Sequence, residues 1–213
     1  MVSPAIKICG LKTPEALDAA IKAGADYAGF VFFPPSPRHL GLADAAQLSA
    51  RAEGRLKRVA LTVDADDAMI TEIIAATGID ILQLHGKETP ERAGQVKARF
   101  GLTVWKALSV ASKDDVARAG SYAGGADLVL FDAKTPGGAL PGGMGLSFDW
   151  SLVANWNGPL PWGLAGGLTP DNVADAVRLT GAPLVDTSSG VESAPGVKDP
   201  ARIAKFCSAA RRA

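Results

Sequence analysis

The sequence predicts a closed (β/α)8 barrel, a single domain over residues 1–213. Three observations lead there: eight short apolar runs, amphipathic segments between them, and a repeat of roughly 25 residues. The runs are Ala5–Cys9, Tyr27–Phe33, Arg58–Val63, Ile81–His85, Thr103–Leu108, Asp127–Asp132, Leu160–Ala165 and Pro183–Asp186. Most are unbroken and rich in Val, Ile, Leu and Phe, as in strands of a parallel sheet covered on both faces. The other architecture open to such a pattern is a doubly wound open sheet. The count of eight, the even spacing and the lack of G-x-G-x-x-G after the first run favour the closed barrel.

The segments between the runs read as helices. Leu17, Ala20 and Ile21 share one helical face, with Glu15, Asp18 and Lys22 lying off it. Thr13-Pro14-Glu15, Thr89-Pro90-Glu91 and Thr169-Pro170-Asp171 each place a capping hydroxyl, a proline for the first turn and then an acid. Ser112-Lys113-Asp114-Asp115 and Asp199-Pro200 read as further starts, and Gly24 and Gly78 as helix exits.

Composition narrows the function. Lys and Arg number 22 and Asp and Glu number 22, so the formal net charge is zero. A nucleic acid or an anionic membrane surface as main partner needs a basic excess that is missing here. No basic segment followed by an apolar stretch opens the chain, and no run of about 18 apolar residues occurs. Cys9 and Cys207 lie far apart, without the spacing of a zinc site or a disulfide framework. A cytoplasmic protein with free thiols is the expectation.

Polar residues gather where the strands end. Residues i and i+2 of a strand share a face, which pairs Lys7 with Cys9 and Gln83 with His85. Lys106 stands alone in the fifth run, Asp132 ends the sixth and Asp186 ends the eighth. All seven are expected on the inward face at the carboxyl end, where such barrels carry their active sites. Taken singly, each has a plainer reading: a buried inert thiol, a helix-capping aspartate, a lysine reaching for solvent. Together they point to one site. Ala165-Gly166-Gly167 after the seventh run and Thr187-Ser188-Ser189-Gly190 after the eighth supply backbone N–H groups and hydroxyls for an anion. Loops in these two positions commonly hold phosphate. The stretch 133–146, AKTPGGALPGGMGL, has five glycines and two prolines and reads as a mobile flap over the site.

Six blocks, KICGL (7–11), GFVFFPPSPRHL (29–40), LQLHG (82–86), FDAKTPGG…PGGMGLSFDW (131–150), LAGGLTPDNV (164–173) and VDTSSGVESAPGVKD (185–199), resemble the phosphoribosylanthranilate isomerases of tryptophan biosynthesis, in order and from end to end. That resemblance implies a (β/α)8 barrel without metal or organic cofactor. Its substrate is a small phosphorylated molecule, N-(5′-phosphoribosyl)anthranilate. The reaction is an Amadori rearrangement to 1-(2-carboxyphenylamino)-1-deoxyribulose 5-phosphate. It implies Cys9 as general base, Asp132 as general acid and Arg38 as the contact for the anthranilate carboxylate. It places phosphate on Gly166, Gly167, Ser189 and Gly190, and Asp186 beside the substrate. Lys7, Gln83 and His85 complete the side chains expected to meet the substrate. Lys7 would promote a Cys9 thiolate if close, and Gly10 would leave room for substrate beside the sulfur. Members of the family are monomers or homodimers. The chain departs from many relatives at Met144, inside the flap, and Cys207 matches no functional position. A histidine-pathway isomerase of the same reaction type uses aspartate where this chain has Cys9. A non-catalytic phosphosugar-binding barrel needs neither Cys9 nor Asp132.

Overall fold

A computed structural model describes residues 3–133, 147–154 and 156–213. Eight parallel strands close into a barrel in chain order: β1 (Ala5–Cys9), β2 (Tyr27–Phe32), β3 (Lys57–Thr62), β4 (Ile81–Leu84), β5 (Thr103–Val110), β6 (Leu128–Ala133), β7 (Trp162–Leu164) and β8 (Leu184–Thr187). The seam pairs β1 with β8, setting Lys7 opposite Asp186. Outside the barrel lie α1 (Pro14–Lys22), α2 (Leu42–Ala52), α3 (Asp67–Thr77), α4 (Pro90–Phe100), α5 (Lys113–Ala117), α6 (Val173–Thr180) and α7 (Pro200–Arg211). After β8 comes a small hairpin of β9 (Glu192–Ala194) and β10 (Val197–Lys198), which strand counting from the sequence did not anticipate.

The helix starts follow the expected chemistry in most places. Thr13 accepts from Ala16 N, Thr89 from Arg92 N, and Asp199 from Ala201 N and Arg202 N. Ser112 and Asp115 form a reciprocal capping box. Thr169 is the exception. Its hydroxyl accepts from Asp171 N in a turn, and α6 begins only at Val173, beyond Asn172. The Asn172 side chain instead ties this turn together, accepting from Thr169 N and donating to Gly167 O. The expected helix between β6 and β7 is, among the described residues, a single 3-10 turn at Trp150–Leu152. The sequence 134–146, and with it the flap expectation and Met144, lies outside the described residues.

Two apolar layers make the barrel. Val59, Ile81, Trp105, Ala107, Leu130 and Leu184 come from five strands and meet in one cluster, which requires that they point into the barrel. Gly163 admits this packing, because a Cβ there would lie 2.2 Å from Leu184 and 2.8 Å from Leu130. The opposite strand faces, with Ile6, Ile8, Phe30, Phe32 and Phe131, pack against the helices. Parity then fixes the polar residues. Lys7 and Cys9 lie on the inward face with Ala5, Gln83 and His85 with Ile81, Asp132 with Leu130, and Asp186 with Leu184. Lys106 is a correction: it lies between inward Trp105 and Ala107 and so points outward, away from the expected site.

Candidate active site

At the carboxyl end of the inward face, three side-chain groups come together, from the β1–β8 seam, from β4 with β6, and from the loop after β2 with the β9–β10 hairpin. On the β1–β8 seam, Lys7 Nζ donates to Asp186 Oδ2 at 2.9 Å, with both residues buried. Burial works against the Lys7 charge, but the Asp186 carboxylate and Cys9 outweigh it, holding the ammonium above its ordinary value. Burial raises the Asp186 carboxyl, and the charge of Asp132 adds to this against the pull of Lys7. Asp186 Oδ1 has no hydrogen-bond partner among the described residues, so one buried acceptor remains on the site side.

Cys9 lies two residues after Lys7 on the same face and is buried. The charge of Lys7 favours the thiolate, as the sequence led one to expect, and Lys198 adds a second positive charge. Burial nevertheless wins, and the thiol sits above its ordinary value of 9.0. Room for the sulfur comes from Gly29 on β2, where a Cβ would lie 3.1 Å from Cys9 Sγ and 2.9 Å from Cys9 Cα. Gly10 serves a different neighbour from the one expected. It has φ +77°, and a Cβ there would lie 2.9 Å from Cδ of Arg38, so its room is for the arginine stem.

The second group joins β4 to β6. Gln83 Nε2 lies 3.1 Å from His85 Nδ1, and His85 Nε2 lies 3.2 Å from Asp132 Oδ2. The other Asp132 oxygen accepts from Ala133 N at 2.8 Å. A histidine in hydrogen-bond reach of a carboxyl is an arrangement that can pass a proton between the two.

The third group surrounds Arg38, in the loop after β2. Its Nε and Nη2 donate to Glu192 Oε1 and Oε2 at 2.8 and 2.7 Å. Lys198 Nζ reaches the same carboxylate at 2.7 Å, and also Ser188 O at 2.9 Å and Ser188 Oγ at 3.2 Å. Ser188 Oγ in turn donates to Cys9 O. Burial opposes the Glu192 charge, but Arg38 and Lys198 outweigh it and hold the carboxyl below its usual range. Burial lowers Lys198, with Glu192 opposing. Sequence reading singled out Arg38 but not Glu192 or Lys198. The available signal was three charged residues inside VESAPGVKD, Glu192, Lys198 and Asp199, directly after the Ser-Gly loop.

The two anion loops meet beside these groups. Gly166 and Gly167 both have positive φ, +79° and +68°. A Cβ on Gly166 would lie 2.5 Å from Ala133 N, and one on Gly190 2.0 Å from Leu168 O, so neither position accepts a side chain. Thr187 Oγ1 donates to Leu168 O at 2.8 Å, tying the loop after β8 to the loop after β7. Ser189 opens the 3-10 turn that follows. Among the described residues, no three His, Cys, Asp or Glu side chains are placed to hold a metal ion. Cys207 lies in α7, buried against the barrel wall, its thiol pushed up to about 11 by burial.

Residues 6–209 match the family model described as N-(5′-phosphoribosyl)anthranilate isomerase. The chain belongs to the phosphoribosylanthranilate isomerase family. It is 55% identical to the N-(5′-phosphoribosyl)anthranilate isomerase of Parvibaculum lavamentivorans, covering all of both chains. Identity is also 55% to that of Cereibacter sphaeroides, covering 99% of this chain and all of the relative. Among solved structures, the phosphoribosyl anthranilate isomerase of Thermotoga maritima superposes with a TM-score of 0.87 at 33% identity over the whole of both chains. Another phosphoribosyl anthranilate isomerase, solved with reduced 1-(o-carboxyphenylamino)-1-deoxyribulose 5-phosphate, gives 0.82 at 30% identity, again over both whole chains. The family assignment makes this chain an isomerase of tryptophan biosynthesis.

Proposed function

We propose that this chain, as a single catalytic barrel, rearranges N-(5′-phosphoribosyl)anthranilate to 1-(2-carboxyphenylamino)-1-deoxyribulose 5-phosphate, with Asp132 as general acid and Cys9 as general base. The observation that carries this reading is the gathering of Cys9 with Lys7, Asp132 with His85, and two glycine loops at one barrel mouth. Strands β1 and β6 are not neighbours, so acid and base approach a bound sugar from different sides. The Asp132–His85 pair delivers a proton to the ribose ring oxygen. The C1′–O bond breaks and the amine nitrogen's lone pair forms the Schiff base. Cys9 then removes the C2′ proton, and the resulting enolamine tautomerises to the ketone. Each proton transfer contributes about 10²–10⁴-fold. Lys7 and Lys198 offset the thiolate charge while it exists, against the burial that opposes it.

Binding follows the same geometry. The loops at Gly166, Gly167, Ser189 and Gly190 hold the phosphate through backbone N–H groups that no side chain obstructs. Arg38 meets the anthranilate carboxylate, and Asp186 Oδ1 accepts from a sugar hydroxyl or the amine. Gln83 orients His85, and so the Asp132 carboxyl. The protein acts in the cytoplasm as a monomer or homodimer; one solved relative is described as monomers of a dimeric enzyme. Among the described residues, no helix is long and apolar enough to cross a membrane. The test is the loss of phosphoribosylanthranilate fluorescence on adding purified protein. Consumption at an enzymatic rate is expected, and a rate equal to the spontaneous breakdown of substrate would sink the reading.

A further inference from the structure

Glu192 raises a difficulty for Arg38 as a carboxylate receptor. A guanidinium that already donates Nε and Nη2 to one buried carboxylate forms, with it, a pair of zero net charge. Such a pair attracts a second carboxylate weakly, and a ligand displacing Glu192 would leave it buried and unpaired, at a cost of several kcal/mol.

Lys198 alters the charge count. Its Nζ has three acceptors, Glu192 Oε1, Ser188 O and Ser188 Oγ, matching the three protons of an ammonium group. Two of those acceptors are neutral, so Glu192 alone offsets the lysine charge. Gly196 N also donates to Glu192 Oε2, fixing the carboxylate further. Asp199, the next acid along the hairpin, caps α7 and lies 3.8 Å from Arg202. Arg38, Glu192 and Lys198 together hold two cations and one anion, all at least nine-tenths buried. One net positive charge in so dry a setting is only weakly screened.

We propose that Lys198 is a specificity-determining residue: by neutralising Glu192, it leaves the Arg38 site with the single positive charge that selects a ligand carrying an aryl carboxylate. Glu192 supplies the geometry by fixing the guanidinium plane, and Lys198 removes the electrostatic penalty of using a carboxylate to do so. This rests on the reading of Arg38 given above.

The test compares two ligands by calorimetry. One is reduced 1-(2-carboxyphenylamino)-1-deoxyribulose 5-phosphate, and the other is the same compound lacking the aryl carboxylate. Wild type should prefer the carboxylated ligand by about tenfold or more. In Lys198→Met that preference should fall to about threefold or less, and Lys198→Arg should restore it. A preference in Lys198→Met equal to wild type would overturn the proposal. Wild type binding both ligands equally would instead overturn the reading of Arg38. Glu192→Gln provides the opposite arm and does not depend on the lysine variant folding. Its amide oxygen still accepts one Arg38 N–H, in place of the two the carboxylate took, while the cluster gains a charge, so the preference should rise by about threefold. A fall in Glu192→Gln would show that Glu192 only positions Arg38 and would overturn the charge argument.

Discussion

Two lysines stand inside parallel strands with almost no exposure, Lys7 at 0% and Lys106 at 2%, and they do opposite things. Lys7 points into the barrel, where its partners are two groups of the site, Asp186 and Cys9. Lys106 points outward and is saturated: Leu84 O at 3.3 Å, Gly86 O at 2.9 Å and Glu88 Oε2 at 3.1 Å. Glu88 is saturated too, accepting from Asp64 N and Gly86 N, while its own carbonyl accepts from the Tyr122 hydroxyl. The outward lysine fastens the loop that follows His85. The inward one leaves a neighbouring acceptor, Asp186 Oδ1, without a partner among the described residues. A finished network is structure, and an unfinished one at a barrel mouth is a place for a ligand.

Substitutions can break this contrast. The largest effects should come from the two groups proposed as base and acid: Cys9→Ala and Asp132→Asn should each lower turnover by about a hundredfold or more, with the circular dichroism of wild type. Near-wild-type turnover in either variant removes that residue from its role. Next come the lysines themselves. Lys7→Met should lower kcat by about tenfold or more, since one positive charge beside Cys9 is lost. Lys106→Met should act on stability, costing about 3–5 kcal/mol by leaving the Glu88 carboxylate buried without its counter-ion, with a smaller effect on kcat. Urea melts and steady-state rates on both variants check the split, and a reversed pattern would erase the distinction.

The smallest effect is in the alkaline pH dependence of stability. Lys7 is held above the ordinary lysine value of 10.5, so its contribution is complete below that value and fades as pH rises past it. Burial pulls Lys106 below 10.5, more than Glu88 restores. Between its folded and unfolded values the unfolded chain binds the extra proton, so this contribution grows as pH climbs towards 10.5. The stability gap between wild type and Lys7→Met should therefore narrow above pH 10.5. The gap to Lys106→Met should widen on the approach to it. Denaturant midpoints across the alkaline range test both signs.

The same pair shows what was legible in the sequence. Alternation placed Lys7 with Cys9 and Gln83 with His85 correctly, because each pair is set by position along one strand. It could not say which face of β5 points inward. That is settled by Trp105 and Ala107 packing on Val59, Ile81, Leu130 and Leu184, contacts that span several strands. Glu192 and Lys198 escaped for a related reason: Glu192 meets Arg38 across 154 residues of chain, from a hairpin with no strand-end pattern to mark it. Thr169 carried a helix-start signal, and the Asn172 side chain claimed the turn instead. The thiol state of Cys9 was open because sequence shows the promoting lysine but not the depth of burial that outweighs it.

The β1–β8 seam also gives the protein a history. Lys7 and Asp186 are 179 residues apart, so a ribosome adding about 5–20 residues per second finishes one roughly 10–35 s before the other. For that interval the ion pair beside Cys9 cannot form. A brief pulse of a thiol alkylator during translation should mark nascent chains at Cys9 and spare completed ones. Equal labelling of both would mean that the seam gives the sulfur no shelter. The residue proposed as base is thus made early, and the barrel strand that seals its side is made last, so its shelter is a matter of timing.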